Sequence, residues 1–482
     1  IGRDFQEQRG VAARGHACGE QLGQRGAVLT PQGRIVLAQA RKVLWAGMIG
    51  MIATGFPFTI VTVALNLIAE EMHVSEAFAA WTVSAPMLVS AAALPVIGKL
   101  GDLFGHRRVY IYGVLGSTIF AGLCIIAWDI WSLIAFRILA MVLAGCTGPA
   151  AMAILFHVYP PEHRTQAISW WSMGGPGAAA LGLILGGPFV ELFGWRSVFV
   201  LQAATGFGAV FLAWKVLPET EKQPARFDHV GNIILLIALS CLLFVIGAFA
   251  EPGVPNWLLI STGIAGFIGL AIFFLYEATI TDPMVPPTLL LQRNFNAPVS
   301  SNFFLQMSYL GALMATPLVL MDFFGYGVTI ASVLMLTRTF SLTVASPFGG
   351  VVATQYGERF GTVSGALLQG AGVLLVAFGV YMVSVPILLL GLVLQGVGHG
   401  IAMPPLASII ATAVPPTQFG MASGMSRLVA QIGSSFGLSL FGVLLTIPRD
   451  VLELHMIFVI GGVLALVGVI PATLISMKHR KV

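Results

Sequence analysis

Hydrophobic residues in this chain form long runs that are separated by short polar segments. Each run is about 20 residues long, which is the length that an α-helix needs to cross the hydrocarbon core of a bilayer. The pattern therefore predicts an all-α integral membrane protein with fourteen spanning helices. The predicted spans lie roughly at 43–65, 78–97, 109–127, 131–155, 168–190, 197–216, 230–249, 257–276, 299–321, 329–352, 361–381, 386–410, 421–445 and 456–476.

The composition supports a membrane protein over a large soluble helical protein. Of 482 residues, 57% are hydrophobic and only 9% are charged, whereas soluble domains carry about 25% charged residues. If the N-terminus is cytoplasmic, eighteen of the 24 Lys and Arg residues fall on inside segments and two, Arg196 and Arg449, on outside loops. This bias predicts that both termini are cytoplasmic, in an inner (plasma) membrane. We interpret the net charge of +4 as a topology signal and expect no nucleic-acid partner.

Cysteine usage and the N-terminal segment add little chemistry. Cys18, Cys124, Cys146 and Cys241 form no CxxC pair, so we expect no disulfide framework, metal site or cofactor. The first 42 residues contain no apolar stretch typical of a cleavable signal peptide, and we expect a flexible cytoplasmic tail there.

An internal repeat relates the two ends of the chain. PPEHRTQAISWWSMGGPGAAALG, from Pro160, corresponds to PPTQFGMASGMSRLVAQIGSSFG, from Pro415, and the same offset matches Gly182 with Gly437. GKLGDLFGHRR at 98–108 corresponds likewise to GVVATQYGERF at 350–360. Parallel repeats of this kind build transporters from two similar bundles. The predicted segments are a tail (1–42), a six-helix bundle (43–216), linkers with an extra helical hairpin (217–296), a second six-helix bundle (297–476) and a C-terminus (477–482).

The loop GKLGDLFGHRR has the composition of a latch between the bundles. Gly98 and Gly105 permit a tight turn and close helix contact, and Asp102 is placed to face a helix N-terminus or a basic side chain. Arg107 and Arg108 are expected to anchor at lipid headgroups or to bond across the two halves. The alternative is an ordinary short turn with positive-inside charges.

This loop resembles the signature loop of the major facilitator superfamily, with Leu103 in place of the first basic residue. The fourteen-helix layout, together with FGWRSVF (193–199) and GGPGAAALGLILGG (174–187), is similar to the drug:proton antiporter branch of that superfamily. The resemblance implies two six-helix bundles plus two extra central helices. It also implies a lipid-embedded, monomeric exporter of amphipathic, drug-like organic compounds that works by alternating access and is coupled to protons.

The sequence departs from the branch pattern at the positions linked to proton coupling. Pro57 stands where helix one of the branch carries an Asp, and we expect this proline to kink the helix. In helix four, Arg137 is present but the Gln-Gly that follows it is not; Gln395 and Gly396 occur instead in the second half. Arg137 is expected to face the cavity or a proton relay, and the alternative is that it snorkels to the membrane interface.

Several further residues have expected roles in helix packing or proton transfer. His399 lies deep in a predicted span, and its titration range suits a proton carrier, although a hydrogen-bonded packing residue is the alternative. Small residues permit close helix approach. The set that we expect to serve packing and rocking consists of Pro57, Gly182, Gly186, Gly187, Gln395, Gly396 and Gly400.

The substrate cavity is predicted on the first, fourth, ninth and twelfth spans. Candidate lining residues are Phe58, Thr59 and Thr62 on the first span and Asn302, Gln306 and Tyr309, at helical spacing, on the ninth. No acid is predicted in the cavity, so neutral or anionic compounds fit it better than cations. The remaining alternatives are uptake or facilitated diffusion of an organic solute or lipid-like molecule, and a non-transporting sensor or scaffold. An enzyme is not expected, since no set of nucleophile, base and orienting residue is recognisable.

Overall fold

The computed structural model describes residues 31–74, 76–79, 81–220, 228–248, 254–280, 292–415, 418–445 and 451–475. All regular secondary structure within these ranges is helical. The first helix begins at Pro31, so residues 31–42, predicted to belong to a flexible tail, are part of that helix. Residues 1–30 with Cys18, the linker at 221–227 and the C-terminus lie outside the described residues.

The helices follow one another with short connections. In chain order they are α1 (Pro31–Val63), α2 (Leu65–Glu71), α3 (Glu76–Ala79), α4 (Trp81–Phe104), α5 (His106–Ile125), α6 (Ile130–Ala144), α7 (Thr147–Val158), α8 (Pro161–Ser172), α9 (Gly174–Phe193), α10 (Arg196–Val216), α11 (His229–Ala248), α12 (Asn256–Glu277), α13 (Arg293–Leu318), α14 (Val328–Tyr356), α15 (Glu358–Tyr381), α16 (Val385–Thr412), α17 (Phe419–Leu444), α18 (Val451–Val467) and α19 (Val469–Thr473). A π-helical turn, Val319–Phe323, extends α13.

Three predicted spans are interrupted where a proline removes a backbone donor. A proline has no N–H for the carbonyl four residues earlier. The interruptions follow α6, α8 and α18, and the prolines concerned are Pro149, Pro176 and Pro471. Pro57, in contrast, lies within the continuous helix α1. Nine helices of the described ranges are long and apolar enough to cross a bilayer, and the total of fourteen crossings stays a prediction.

The two repeats are joined at one face of the molecule. We call the side of the molecule where residues 98–108 connect α4 to α5 the loop face. Helices α1–α10 form the first half, and helices α13–α19 form the second half. At the loop face, one hydrophobic core contains residues of both halves, and the rings of Phe156 and Phe419 lie 4.8 Å apart within it. At the opposite face, the first half and the second half have separate cores. The halves therefore pack together at the loop face and enclose a space further along.

The hairpin α11–α12 covers one side of the junction between the halves. Helix α11 contacts both α4 and α17. Ala91, Leu239 and Leu428, one from each of these helices, share a buried cluster. The rings of Trp81 and Phe244 also stack, 5.8 Å apart. The hairpin thus packs on both halves at once.

An ion pair fixes the opposite face of the first half. Glu71, at the end of α2, accepts a hydrogen bond from Trp195 Nε1 at 2.5 Å and another from Arg196. Partial burial raises the pKa of Glu71, but the bonds from Arg196 and Trp195 outweigh it, so the pKa lies below its ordinary value of 4.5. The bonds of Glu71 therefore stabilise the fold above that pH.

We expect Glu71→Gln to reduce the acid sensitivity of the fold. Because the folded-state pKa is lowered, the stabilisation is present above pH 4.5 and is lost as the pH falls through the folded value. Because the ion pair is largely exposed, the free energy of unfolding should fall by about 0.2–1 kcal/mol when it is lost. Unfolding of the purified protein at pH 6 and pH 3.5 checks this, with the adjacent Glu70→Gln as control. Equal acid sensitivity of Glu71→Gln and the wild type would contradict it.

Candidate functional site

A cavity of about 900 Å³ lies between the two halves. Helices α1, α4, α7, α8 and α9 line it from the first half, and α13, α14, α16 and α17 line it from the second. Asn302, Gln306 and Tyr309 all belong to the lining. Their spacing puts them on one face of α13, as the sequence indicated. Cavities of this size bind small organic molecules.

The polar groups of α13 have partners on neighbouring helices. Asn302 Nδ2 lies 3.4 Å from Ser426 Oγ on α17, and Gln306 Nε2 lies 3.8 Å from Met403 Sδ on α16. The Asn302 side-chain oxygen has no partner in the described part of the chain. Both contacts are long, so a bound molecule can compete for these groups.

Three helices contribute to a stacked arrangement in the cavity wall. The guanidinium of Arg338 (α14) lies 4.4 Å from the ring centre of Tyr309 (α13). The Tyr309 ring is also stacked on the imidazole ring of His399 (α16), with the two ring centroids 4.1 Å apart. Arg338 Nη1 also donates to the Tyr309 backbone carbonyl at 3.3 Å. The stack places a cation, a phenol and an imidazole side by side at the cavity.

The orientation of His399 is fixed by a residue that the sequence did not single out. Gln369 on α15 donates through Nε2 to the Leu305 carbonyl at 2.8 Å. Its oxygen Oε1 therefore faces His399 Nδ1, 3.0 Å away, and accepts a hydrogen bond from it. In that tautomer Nε2 of His399 is the nitrogen that can accept a proton. The only signal in the sequence was a polar residue within the apolar pattern of α15.

Arg427 bridges the halves at the cavity wall. It belongs to α17, and its guanidinium lies 5.0 Å from the ring centre of Trp171 on α8. The side chain passes over Gly148, where an added Cβ would lie 2.4 Å from Arg427 Cζ. Trp171 and Arg427 both line the cavity. The contact between them is a cation–π interaction that links the second half to the first.

At the loop face, Asp102 binds the N-terminus of a helix from the other half. Its carboxylate accepts hydrogen bonds from the backbone N–H groups of Gly420 (3.1 Å) and Met421 (3.0 Å) at the start of α17. A Cβ on Gly98 would lie 2.3 Å from the Gly420 carbonyl oxygen. Gly105, with φ of 94°, turns the chain from α4 into α5. Asp102 and Gly98 thus contact the second half, and Gly105 shapes the turn that carries them.

The two arginines of the loop contact a carboxylate of their own half, and their anchoring at lipid headgroups stays a prediction. Arg107 Nη1 lies 3.4 Å and Arg108 Nε lies 3.5 Å from the carboxylate of Glu219, which follows α10 in the same half. Arg107 also donates to the Trp214 carbonyl at 2.6 Å. They do not cross to the second half, because the end of α10 lies beside the start of α5 and supplies the acceptors.

The architecture and the sequence agree on one family. Residues 47–279 and 299–481 match the family model described as Major Facilitator Superfamily. The chain belongs to this superfamily. It is therefore a multi-pass membrane transporter, not an enzyme. Members of this family carry small organic substrates.

Relatives of this transporter include drug-export proteins. It is 27% identical to the tetracenomycin C resistance and export protein of Streptomyces glaucescens over 409 residues, which cover 83% of this chain and 75% of that protein. It is 26% identical to the multidrug export protein EmrB of Haemophilus influenzae over 400 residues, covering 79% and 76%. The proton:xylose symporter XylE, bound to 6-bromo-6-deoxy-D-glucose, has the same fold, with a TM-score of 0.66, 12% identity and coverage of 90% and 95%.

Not every predicted site residue of the transporter lines the cavity. Arg137 is buried within the first half, 5.8 Å from the Phe199 ring centre, and is not part of the described lining. Its role in the cavity or a relay stays a prediction. Gln395 is also away from the lining, and neither of its side-chain polar atoms has a partner among the described residues.

The glycines of α16 bring it close to α14. An added Cβ on Gly396 would lie 2.4 Å from the Arg338 carbonyl oxygen, and one on Gly400 would lie 2.7 Å from that of Leu342. Pro57 and Gly182 are buried. The side chains of Phe58, Thr59 and Thr62, and the surroundings of Gly186 and Gly187, lie outside the described residues.

Glu358 forms a second contact between the halves that the sequence analysis missed. It begins α15, and its Oε1 accepts hydrogen bonds from Thr165 of the first half (3.0 Å) and from Ser408 of the second (2.6 Å). The internal repeat points to this residue, because the alignment of the two loops places Glu358 opposite His106 of the loop at 98–108. The transporter therefore has a carboxylate contact at each of two places on the interface.

Proposed function

We propose that this protein is a proton-coupled exporter of amphipathic organic compounds that works by alternating access. The observation that carries the proposal is the 900 Å³ cavity between the halves, with a shared core at the loop face and separate cores at the opposite face. Such an arrangement fits one end state of a cycle in which the halves rock about a central site. The drug-export relatives favour an export direction and the drug:proton antiporter branch.

The proposed topology makes the loop face cytoplasmic. Fourteen crossings with both termini inside, in the inner (plasma) membrane, satisfy the positive-inside rule. The protein acts as a monomer in lipid, with the segment bounds given by the repeat: 43–216 and 297–476 for the two bundles, and 217–296 for the linkers and hairpin. In this topology the described conformation is closed to the cytoplasm.

The proposed cycle opens the loop face by breaking a small set of polar contacts. Asp102 releases α17, and Glu358 releases Thr165. Closely packed glycine positions on α16, with the small residues of α9, let the helices move as rigid elements. Asn302, Gln306 and Tyr309, with the α1 residues Phe58, Thr59 and Thr62, contact the substrate.

A second candidate function has support from Pro57. Because a proline replaces the helix-one acid of the branch, the protein could carry an organic solute or lipid-like molecule by uptake or facilitated diffusion without proton antiport. In the primary proposal, His399 replaces that acid, since its Nε2 can accept a proton beside the cavity, with Arg137 shaping the relay.

Transport in proteoliposomes tests the proposal. We expect an imposed gradient of one pH unit to sustain about a tenfold concentration ratio of an amphipathic dye, at one proton per cycle. His399→Ala should abolish this ratio, while His157→Ala, at an exposed residue near the end of α7, should keep it. Gradient-driven transport that survives in His399→Ala would move the proton site elsewhere. Transport indifferent to the gradient would reject proton coupling and favour the facilitator.

A further inference from the structure

We propose that the cavity selects amphipathic organic anions. In this proposal Arg338 binds the acidic head group, Arg427 adds a second positive charge elsewhere in the wall, and the apolar body occupies the rest of the cavity. The inference rests on the proposed transport of amphipathic compounds through this cavity and adds the charge of the substrate.

The first support is the charge of the cavity wall. Its described lining contains Arg338, Arg427 and His399 but no aspartate or glutamate. Arginine stays protonated in proteins. No carboxylate of the described residues is within ion-pair distance of either arginine. Charges at membrane depth without a counter-ion are costly, and a bound anion supplies that counter-ion.

The second support is the excess of hydrogen-bond donors. Six buried polar atoms of the lining residues have no hydrogen-bond partner in the described part of the chain. Four of them can only donate, one is a hydroxyl, and one is an acceptor. A carboxylate or sulfonate offers only acceptors, so it matches this set. The four donors are Arg338 Nε, Arg427 Nε, Trp171 Nε1 and Gln431 Nε2; the hydroxyl is Ser423 Oγ, and the acceptor is Asn302 Oδ1.

The third support is the way Arg338 is held. The side chain is only 1% exposed, so its guanidinium is fixed by its surroundings. Nη1 donates a hydrogen bond to the Tyr309 carbonyl, and the guanidinium lies over the Tyr309 ring in a cation–π contact. Nε has no partner among the described residues. The edge formed by Nε and Nη2 is the one that binds a carboxylate through two parallel hydrogen bonds.

The same features disfavour other charge types. A cationic drug would face guanidinium groups on α14 and α17 with no acid in the described lining to hold it. A neutral compound could satisfy some donors but would leave both cations without a counter-ion. Binding preference should therefore fall in the order anion, neutral molecule, cation.

An anionic substrate also bears on the energy source. An inside-negative potential of about 100 mV favours the outer side for a singly charged anion by roughly 50-fold. Export of an anion thus gains a driving force that does not require a carboxylate in helix one, where this chain has Pro57.

Equilibrium binding of three probes that share one fluorophore tests the proposal. The probes are dansylglycine (anion), dansylglycinamide (neutral) and dansylethylenediamine (cation), added to the purified full chain in detergent without any gradient. We expect dansylglycine to bind the wild type roughly tenfold more tightly than the amide. Arg338→Gln and Arg427→Gln should each reduce this ratio toward one and leave the affinity for the amide unchanged.

Arg164→Gln is the matched control, because Arg164 also lies over an aromatic ring, 5.4 Å from the Phe156 ring centre, but is outside the described lining. It should keep the tenfold ratio. The proposal is overturned if the wild type binds the amide or the ammonium probe as tightly as dansylglycine, or does not bind dansylglycine. It is also overturned if Arg338→Gln weakens all three probes equally, since the arginine would then only support the cavity. A preserved anion preference with transport indifferent to the pH gradient would refute proton coupling but not the anion site.

Discussion

Replacement of Asp102 by alanine is expected to open the loop face. The carboxylate is only 5% exposed and accepts two backbone N–H groups at the start of α17. Hydrogen bonds to a charged group contribute about 1.5–3 kcal/mol, and the negative charge also favours a helix N-terminus. Loss of this contact should shift the equilibrium toward the conformation open at the loop face by roughly 10- to 150-fold. Asp102→Asn, which keeps one acceptor, should have a smaller effect.

Distances between spin labels across the loop face measure this shift. Labels at Lys215 of the first half and Tyr356 of the second, both exposed, would be attached in a cysteine-free background. Asp129→Ala is the matched control, because Asp129 also accepts a backbone N–H, from Ser132 at 2.8 Å, but caps α6 within one half at the opposite face. It should leave the label distance unchanged. An unchanged distance distribution in Asp102→Ala would show that the shared core alone holds the halves together.

Gly398→Ala is expected to cause a large loss of stability. Helices α15 and α16 pack backbone to backbone at this position, and an added Cβ would lie 2.2 Å from Gln369 N and 2.7 Å from the Gly365 carbonyl oxygen. A helix backbone cannot give way as a flexible side chain does, so the two helices must separate. Overpacking of this kind costs about 1–3 kcal/mol or more. The change should also disturb His399, since Gln369 is its hydrogen-bond partner.

Thermal unfolding of the purified protein, followed by tryptophan fluorescence, checks this expectation. The matched control is Gly208→Ala on α10, where an added Cβ meets no atom within 4 Å. Alanine favours the helix over glycine there, so this variant should be as stable as the wild type or more stable. Equal unfolding temperatures for Gly398→Ala and Gly208→Ala would mean that α15 and α16 are further apart than the structure describes.

The anion proposal changes how the missing helix-one acid is understood. A transporter of cations needs an acid that either a proton or the substrate can occupy. A cavity with Arg338 and Arg427 in its wall has no use for such an acid, because a carboxylate there would compete with the substrate for the guanidinium groups. An anion preference accounts for the donor-rich wall and is compatible with Pro57, which is buried outside the described lining.

The sequence by itself determined the features that depend on a single helix or loop. Hydrophobic run length predicted the helices, and the spacing of Asn302, Gln306 and Tyr309 placed them on one face of α13. The loop at 98–108 predicted that Asp102 would face a helix N-terminus or a basic side chain, and the structure has the first of these. All of these follow from local periodicity, which a linear sequence records directly.

Only the tertiary structure decided which residues of different helices meet. The Arg338–Tyr309–His399 stack unites three helices, and Arg427 reaches Trp171 across the halves. Arg137, predicted for the cavity or a proton relay, lies against Phe199, and only the packing of the helices showed this contact. Periodicity fixes the direction of a side chain relative to its own helix axis. It does not fix the rotation of that helix against its neighbours, which is set by the packing of all side chains together.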